Sequence, residues 1–214
     1  MFDRDWAENK LDMERRAGEL CDYVAKYLPS LEGQPHGTVL DIGPGPGDFL
    51  AMCESMGHEA IGIDAENGDG GMGDSYLEVC SEYWEEFGVS VWQIGLDNLI
   101  LNEDQIDYNS CVLINSRGSI EQAMSHCMVG DPHDNHHNAR HLDWNKELGE
   151  AWIRLFLDRC GSWLRIGGTL LISANGSKTT DDWYDKTLRH YAKPCGLRLE
   201  LNEGNLVHKF IRVE

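Results

Sequence analysis

Three alternating glycines, Gly43, Gly45 and Gly47, separate an apolar run from a helical one, and no other feature of this 214-residue chain constrains its fold as much. Val39-Leu40-Asp41-Ile42 before them is β-prone. Phe49, Leu50, Met52, Cys53 and Met56 after them recur at helical spacing. Strand, glycine turn and helix in that order predict a loop on which a ligand lies directly against backbone, where no Cβ stands in the way. Pro44 and Pro46 fix φ between the glycines, so the loop is stiff before any ligand arrives.

The spacing separates classes of ligand. A dinucleotide loop places glycines at relative positions one, three and six and receives a pyrophosphate on the following helix N-terminus. Here the sixth position is Asp48. A carboxylate on the first helical turn repels a pyrophosphate and accommodates a cation, and it also suits a helix start. Further on, Ala60-Ile61-Gly62-Ile63-Asp64 predicts a second buried strand ending in an acid. Asp64 lies 17 residues beyond Gly47, where folds of this kind hydrogen-bond a ribose.

Taken together, VLDIGPGPGDF and AIGIDAE resemble the class I (Rossmann-like) S-adenosylmethionine (SAM)-dependent methyltransferases. The resemblance implies an α/β fold with a seven-stranded, mostly parallel sheet, a C-terminal antiparallel hairpin and helices on both faces. It implies SAM as cofactor, with Gly43, Gly45 and Gly47 bringing backbone against its methionine part. Asp41 would order that loop or touch the ligand, and Asp64, with Ala65 beside it, would receive the ribose hydroxyls. Asp97, or Asn98 in its place, would contact the adenine amino group. Asn115 would lie at the end of the sheet that faces the transferable methyl.

Composition narrows the partners. With 18 basic and 37 acidic residues the formal charge is −19, which argues against DNA or RNA, since such complexes gain most of their affinity from neutralised phosphates. An apolar content of 41% and a charged content of 26% are those of an ordinary soluble globule. The N-terminus has no signal-peptide core, and no apolar run approaches the length of a membrane span. Seven cysteines without a CxxC pair suit buried thiols in a reducing cytoplasm. The length predicts one domain over 1–214, comprising an N-terminal helix and linker over 1–37, a histidine-rich insertion over 120–144 and no internal repeat. Oligomeric state has no signature here.

Residues from about Arg4 to Leu28 carry a helical period closed by Pro29, which reads as a packing helix. Four glycines between Gly68 and Gly73 predict a loop after the second strand, followed by a helix through Phe87. Ser90–Leu96 predicts a third strand and Cys111–Asn115 a fourth, followed by Ser116, Arg117, Gly118 and Ser119. The N/D-P-P-Y/F signature of amino-methylating DNA enzymes is absent there, and so is the Pro-Cys pair of cytosine-C5 enzymes. A helix over Trp144–Leu164 leads through Gly167-Gly168, read as the helix-to-strand reversal, into a fifth strand ending at Ser173. A further helix over Asp181–Lys193 precedes two period-two runs around Asn202–Asn205, which predict the terminal hairpin.

Five of the nine histidines fall between His126 and His141. Three readings of this segment stand side by side. His133, His136, His137 and His141, with neighbouring carboxylates or Cys127, can hold a metal ion, although no HExxH or paired CxxC is present. One of the four can be the general base of a substrate lid, since imidazole titrates near working pH. The segment can also be a solvated loop. The expected activity is transfer of a methyl group from SAM to an oxygen or nitrogen of a small molecule or sugar. A SAM-binding protein without transfer activity, or a methyltransferase of nucleic acid or protein, are the alternatives.

Overall fold

The computed structural model describes Arg4, Asn9 and residues 11–64, 74–102, 105–120, 146–173, 182–203 and 207–214. In chain order the elements are α1 (Met13–Tyr27), β1 (Thr38–Ile42), α2 (Asp48–Ser55), β2 (Glu59–Asp64), α3 (Asp74–Phe87), β3 (Ser90–Gln93), α4 (Leu96–Leu101) and β4 (Cys111–Arg117). They continue with α5 (Lys146–Trp163), β5 (Leu164–Ser173), α6 (Asp182–Ala192), a 3₁₀ turn (Lys193–Cys195), β6 (Leu197–Glu203) and β7 (Val207–Arg212). The strands form one sheet in the order β3-β2-β1-β4-β5-β7-β6, with only β7 reversed.

That order reverses between β1 and β4. The chain winds outward from β1 through β2 to β3, then returns to lay β4 on the other side of β1. In open α/β sheets such a switch point leaves a crevice beyond the carboxyl ends of the two central strands. Residue pairs Asp41↔Asn115 and Ile42↔Ser116 stand side by side at its floor.

Alternation along the strands sorts the core into two layers. Leu40, Ile42, Ile114, Leu170, Ile172 and Phe210 point to the face covered by α5 and α6, where Trp152, Phe156, Trp163 and Leu188 pack. Val39, Leu113 and Leu171 point to the other face, against Phe49 and Leu50 of α2 and Val79 and Trp84 of α3. Asp41 and Asn115 occupy positions on this second face that the strand pattern would otherwise fill with apolar side chains. Both are charged or polar, and both are buried.

Three elements differ from the sequence expectation. The third strand stops at Gln93, because Leu96, Leu99 and Ile100 repeat at helical spacing and bury themselves as α4. The glycine pair of β5 does not make the helix-to-strand reversal, since Leu164 already pairs with Cys111. Residues 165–168 instead bulge out before Thr169 resumes the ladder opposite Leu113, with Gly167 at φ +82°. The N-terminal helical stretch is broken at Leu11 and Asp12: Arg4 and Asn9 before the break are helical, and α1 starts at Met13, where Asp12 caps it by accepting from the Arg15 backbone N–H at 3.1 Å. No helix among the described residues is long and apolar enough to cross a membrane. The six described cysteines are free.

Candidate cofactor and acceptor site

The loop between β1 and α2 carries Gly43, Gly45 and Gly47 at φ +71°, +56° and +84°, in the left-handed region that favours glycine. It is also packed tightly: a Cβ on Gly43 would stand 1.8 Å from Ser119 Oγ, in the segment that follows β4. The Gly43 N–H donates to the Ile63 carbonyl at 2.8 Å, joining the loop to the end of β2 next to Asp64. From α3, Trp84 Nε1 donates to the Gly45 carbonyl at 2.7 Å. The loop is therefore braced from three sides.

Beneath it lies a buried polar chain. Tyr23 Oη donates to Asn115 Oδ1 at 2.7 Å, and Asn115 Nδ2 donates to Asp41 Oδ1 at 2.7 Å. The second oxygen of Asp41, Oδ2, is buried without a partner. Burial pushes the Asp41 carboxyl up to about 6. The charge of Arg117 and the bond from Asn115 act against that rise, and the charges of Asp48 and Asp64 add to it. Burial also pushes the Tyr23 phenol far above its ordinary range, so it donates as a neutral hydroxyl.

Asp48 opens α2, and Gly47 in the N-cap position makes no side-chain bond. The Asp48 carboxylate does not cap the helix. Its Oδ1 takes Arg16 at 3.1 Å and Arg117 at 3.5 Å, and its Oδ2 is buried without a partner. Arg16 Nε is buried without a partner too. A Cβ on Gly45 would lie 3.4 Å from Arg16 Nη2 and 3.4 Å from Tyr76 Oη, so α1 and α3 reach over the glycine loop with polar groups. Helix α1 packs on the second core layer through Leu20 and Val24 and is tied further by such long side chains. Besides Arg16 and Tyr23, Lys26 and Tyr27 both reach Glu203 at the end of β6, at 2.7 and 2.8 Å.

Asp64 ends β2, half-buried, opposite Gln93 in the ladder, and its charge acts on Asp41 and Tyr76. Asp97 sits in the first turn of α4 and accepts from Trp152 Nε1 at 2.8 Å, while Asn98 beside it is exposed. The structure thus brings Asp41, Gly43, Gly45, Gly47, Asp64 and Asn115 to one end of the sheet. Ala65, the glycine-rich loop and His133, His136, His137 and His141 lie outside the described residues. Among the described residues no cluster of three or more His, Cys, Asp or Glu side chains is placed to hold a metal ion.

Arg16, Tyr23 and Arg117 had no assigned role in the sequence reading. The signal for two of them was present: Arg16, Leu20, Tyr23 and Tyr27 fall on one helical stripe, and a basic residue on a stripe anchored by buried Leu20 asks for a buried acid. Arg117 had no comparable pattern around it.

A second buried network joins α6 to the hairpin. His208 Nε2 bonds Asp185 Oδ1 at 2.8 Å, and Asn202 Nδ2 donates to the same oxygen at 3.0 Å. Burial pulls the His208 imidazole below its ordinary range against the pull of Asp185. Burial also acts to raise the Asp185 carboxyl, but the bonds from His208 and Asn202 outweigh it and leave the group below the usual range.

No protein-family profile matches the chain, and no curated protein does. Solved structures do match. A Methanococcus maripaludis protein assigned as an S-adenosyl-L-methionine-dependent methyltransferase superposes with a TM-score of 0.57 at 13% identity, over 100% of this chain and 95% of its own. A TehB-like SAM-dependent methyltransferase from Corynebacterium glutamicum gives 0.52 at 17% identity, over 96% and 97% of the two chains. This chain has the class I methyltransferase fold. A SAM-dependent methyltransferase from Archaeoglobus fulgidus also shares it, with a TM-score of 0.51 at 17% identity over 84% of this chain and 68% of that one. At these identities the likeness is one of fold.

Proposed function

We propose that this chain is a SAM-dependent methyltransferase that moves a methyl group to an oxygen or nitrogen of a small molecule or sugar. The observation that carries the reading is a pair of unpartnered carboxylate oxygens, Asp41 Oδ2 and Asp48 Oδ2, buried beside the glycine loop at the switch point. Leaving a buried acceptor unsatisfied costs about 1–3 kcal/mol, and more for a charged group. An ammonium group placed beside either oxygen would satisfy it. Arg16 Nε, buried and unpartnered in the same cluster, would take a carboxylate. An α-amino-acid tail carries both groups, and SAM has such a tail. The donor set fits.

When bound, SAM supplies a sulfonium whose methyl is already activated, so the protein's part is placement and proton management. The backbone of Gly43, Gly45 and Gly47 holds the tail. Asp64, with Ala65 next to it, receives the ribose hydroxyls, and Asp97 or Asn98 the adenine amino group. Asn115 and Tyr23 hold Asp41 in position. Tyr23, neutral at working pH, does not take a proton. One histidine among His133, His136, His137 and His141 acts as the base that removes the acceptor's proton. The chain works as one cytoplasmic domain on a small molecule, without nucleic acid; its charge of −19 supports that choice.

Calorimetry tests the cofactor reading. SAM and its demethylated product S-adenosylhomocysteine (SAH) bind at one site, and NAD does not. Tight NAD binding with no SAM binding overturns it.

A further inference from the structure

Arg117 closes β4 at the crevice, and its setting is unusual for a guanidinium. Tyr23 and Phe49 flank it, with ring centroids 5.4 and 5.9 Å from Cζ. Its side chain is only 25% exposed. Its one ion pair among the described residues is the 3.5 Å contact to Asp48 Oδ1, an oxygen that Arg16 already holds at 3.1 Å. A guanidinium has five N–H donors in a planar fork, and a cation withdrawn from water with so few of them engaged calls for an anion. The flanking rings limit how the fork can turn, so the anion meets a preformed receptor.

Position separates the two arginines. Arg16 lies over Gly45, where the cofactor tail rests in the reading given above. Arg117 stands on β4, two residues beyond Asn115 and level with Ser173 of β5 in the ladder. That is the β4 side of the crevice, one strand over from the β1–α2 loop. The nearby acids Asp41 and Asp48 disfavour a doubly charged phosphate, whereas a single carboxylate can be shared with Arg117.

We propose that Arg117 is the specificity residue of the acceptor subsite, and that the methyl acceptor is a small molecule bearing a carboxylate. Arg117 receives that carboxylate through two parallel N–H···O bonds. The inference rests on the cofactor reading. A carboxylate also terminates the cofactor's own tail, so the test separates the two sources.

The probe is benzoate, with neutral benzamide as its control, titrated into protein saturated with SAH. Arginine guanidinium NMR signals report the contact, and calorimetry of SAH alone runs beside it. The expected result is saturable benzoate binding that moves the Arg117 signal, with no response to benzamide. R117Q weakens benzoate by tenfold or more, and R117K, which keeps the charge but loses the fork, falls between. Thermal melts of both variants confirm that they are folded. Benzoate that competes with SAH assigns the carboxylate slot to the cofactor and overturns the proposal. Equal benzoate affinity in wild type and R117Q makes Arg117 a counter-ion of Asp48 only, and overturns it as well. Failure of the wild type to bind SAH appears before benzoate is added; it refutes the cofactor reading and removes the basis of this one.

Discussion

Replacing Asp41 by asparagine is expected to make the protein more stable at neutral pH and to impair its binding site. The side chain is buried, takes one hydrogen bond from Asn115 and leaves Oδ2 unpartnered. Its carboxyl is pushed from the ordinary 3.8 to about 6, chiefly by burial. Between those values the folded chain keeps a proton that the unfolded chain has released, so stability falls as pH rises through the window. The full cost, reached above pH 6, is about 3 kcal/mol by the equivalence of one pKa unit to ~1.36 kcal/mol. About 2 kcal/mol of it develops between pH 4.5 and 7.5. The amide introduced by D41N would accept the same bond from Asn115 and would not titrate. Urea unfolding of both proteins at the two pH values gives a double difference from which the titrating groups not coupled to Asp41 cancel. D41N should gain about 2 kcal/mol on the wild type between pH 4.5 and 7.5, whatever its offset at either one. At pH 7.5 it should also bind SAH at least tenfold more weakly, because an amide N–H₂ replaces the oxygen offered to the ligand ammonium. A difference between the two proteins that does not change with pH would refute the account of Asp41.

Four further outcomes are expected. Asp64→Ala should weaken SAM by tenfold or more in calorimetry with the fold intact, since hydrogen bonds to a charged acceptor contribute ~1.5–3 kcal/mol each. Tyr23→Phe should cost ~1–3 kcal/mol in urea unfolding, because it leaves Asn115 Oδ1 buried without its donor. His208 is held below its ordinary range, so the stability it contributes is full above about pH 6.5 and is lost as pH falls; H208Q should flatten that acid limb in thermal melts across pH 5–7. Changing His133, His136, His137 and His141 singly should lower turnover by ~10²–10⁴-fold at one position with SAM affinity kept. If instead chelation abolishes turnover and a divalent ion restores it, the segment is a metal site.

Much of the fold could be read from local chemistry. The β1–α2 glycine loop, the buried β2 ending in Asp64 and the period-two hairpin of β6 and β7 each declare themselves within a dozen residues. The structure has all three where the sequence puts them. The bulge in β5 did not declare itself, because it depends on how a strand meets its neighbours, whereas the short α4 was signalled by Leu96, Leu99 and Ile100 but overlaps the end of the run read as the third strand. Leu164 pairs with Cys111 before the glycines rather than after them, and nothing inside residues 163–173 says so. The expected cofactor positions Asp41, Gly43, Gly45 and Gly47 could be named for the same reason as the loop: they come in order along one strand–turn–helix unit. The polar chain was not. Tyr23 and Asn115 are 92 residues apart, and Arg16 and Asp48 are 32 apart, so only the folded chain brings them together. Asp48 shows the difference well. At the start of α2 it reads as a capping acid or a field for a cation, whereas the fold makes it the joint between two arginines.

Methyl transfer itself is the central claim, and SAM carrying an isotope-labelled methyl tests it most directly. The protein, incubated with that SAM and a metabolite extract, should release SAH and place the label in a small molecule that carries a carboxylate, in equal amounts. SAM that binds but keeps its label in every extract would contradict the claim and leave a SAM-binding protein. Label found in nucleic acid or protein would contradict the small-molecule reading.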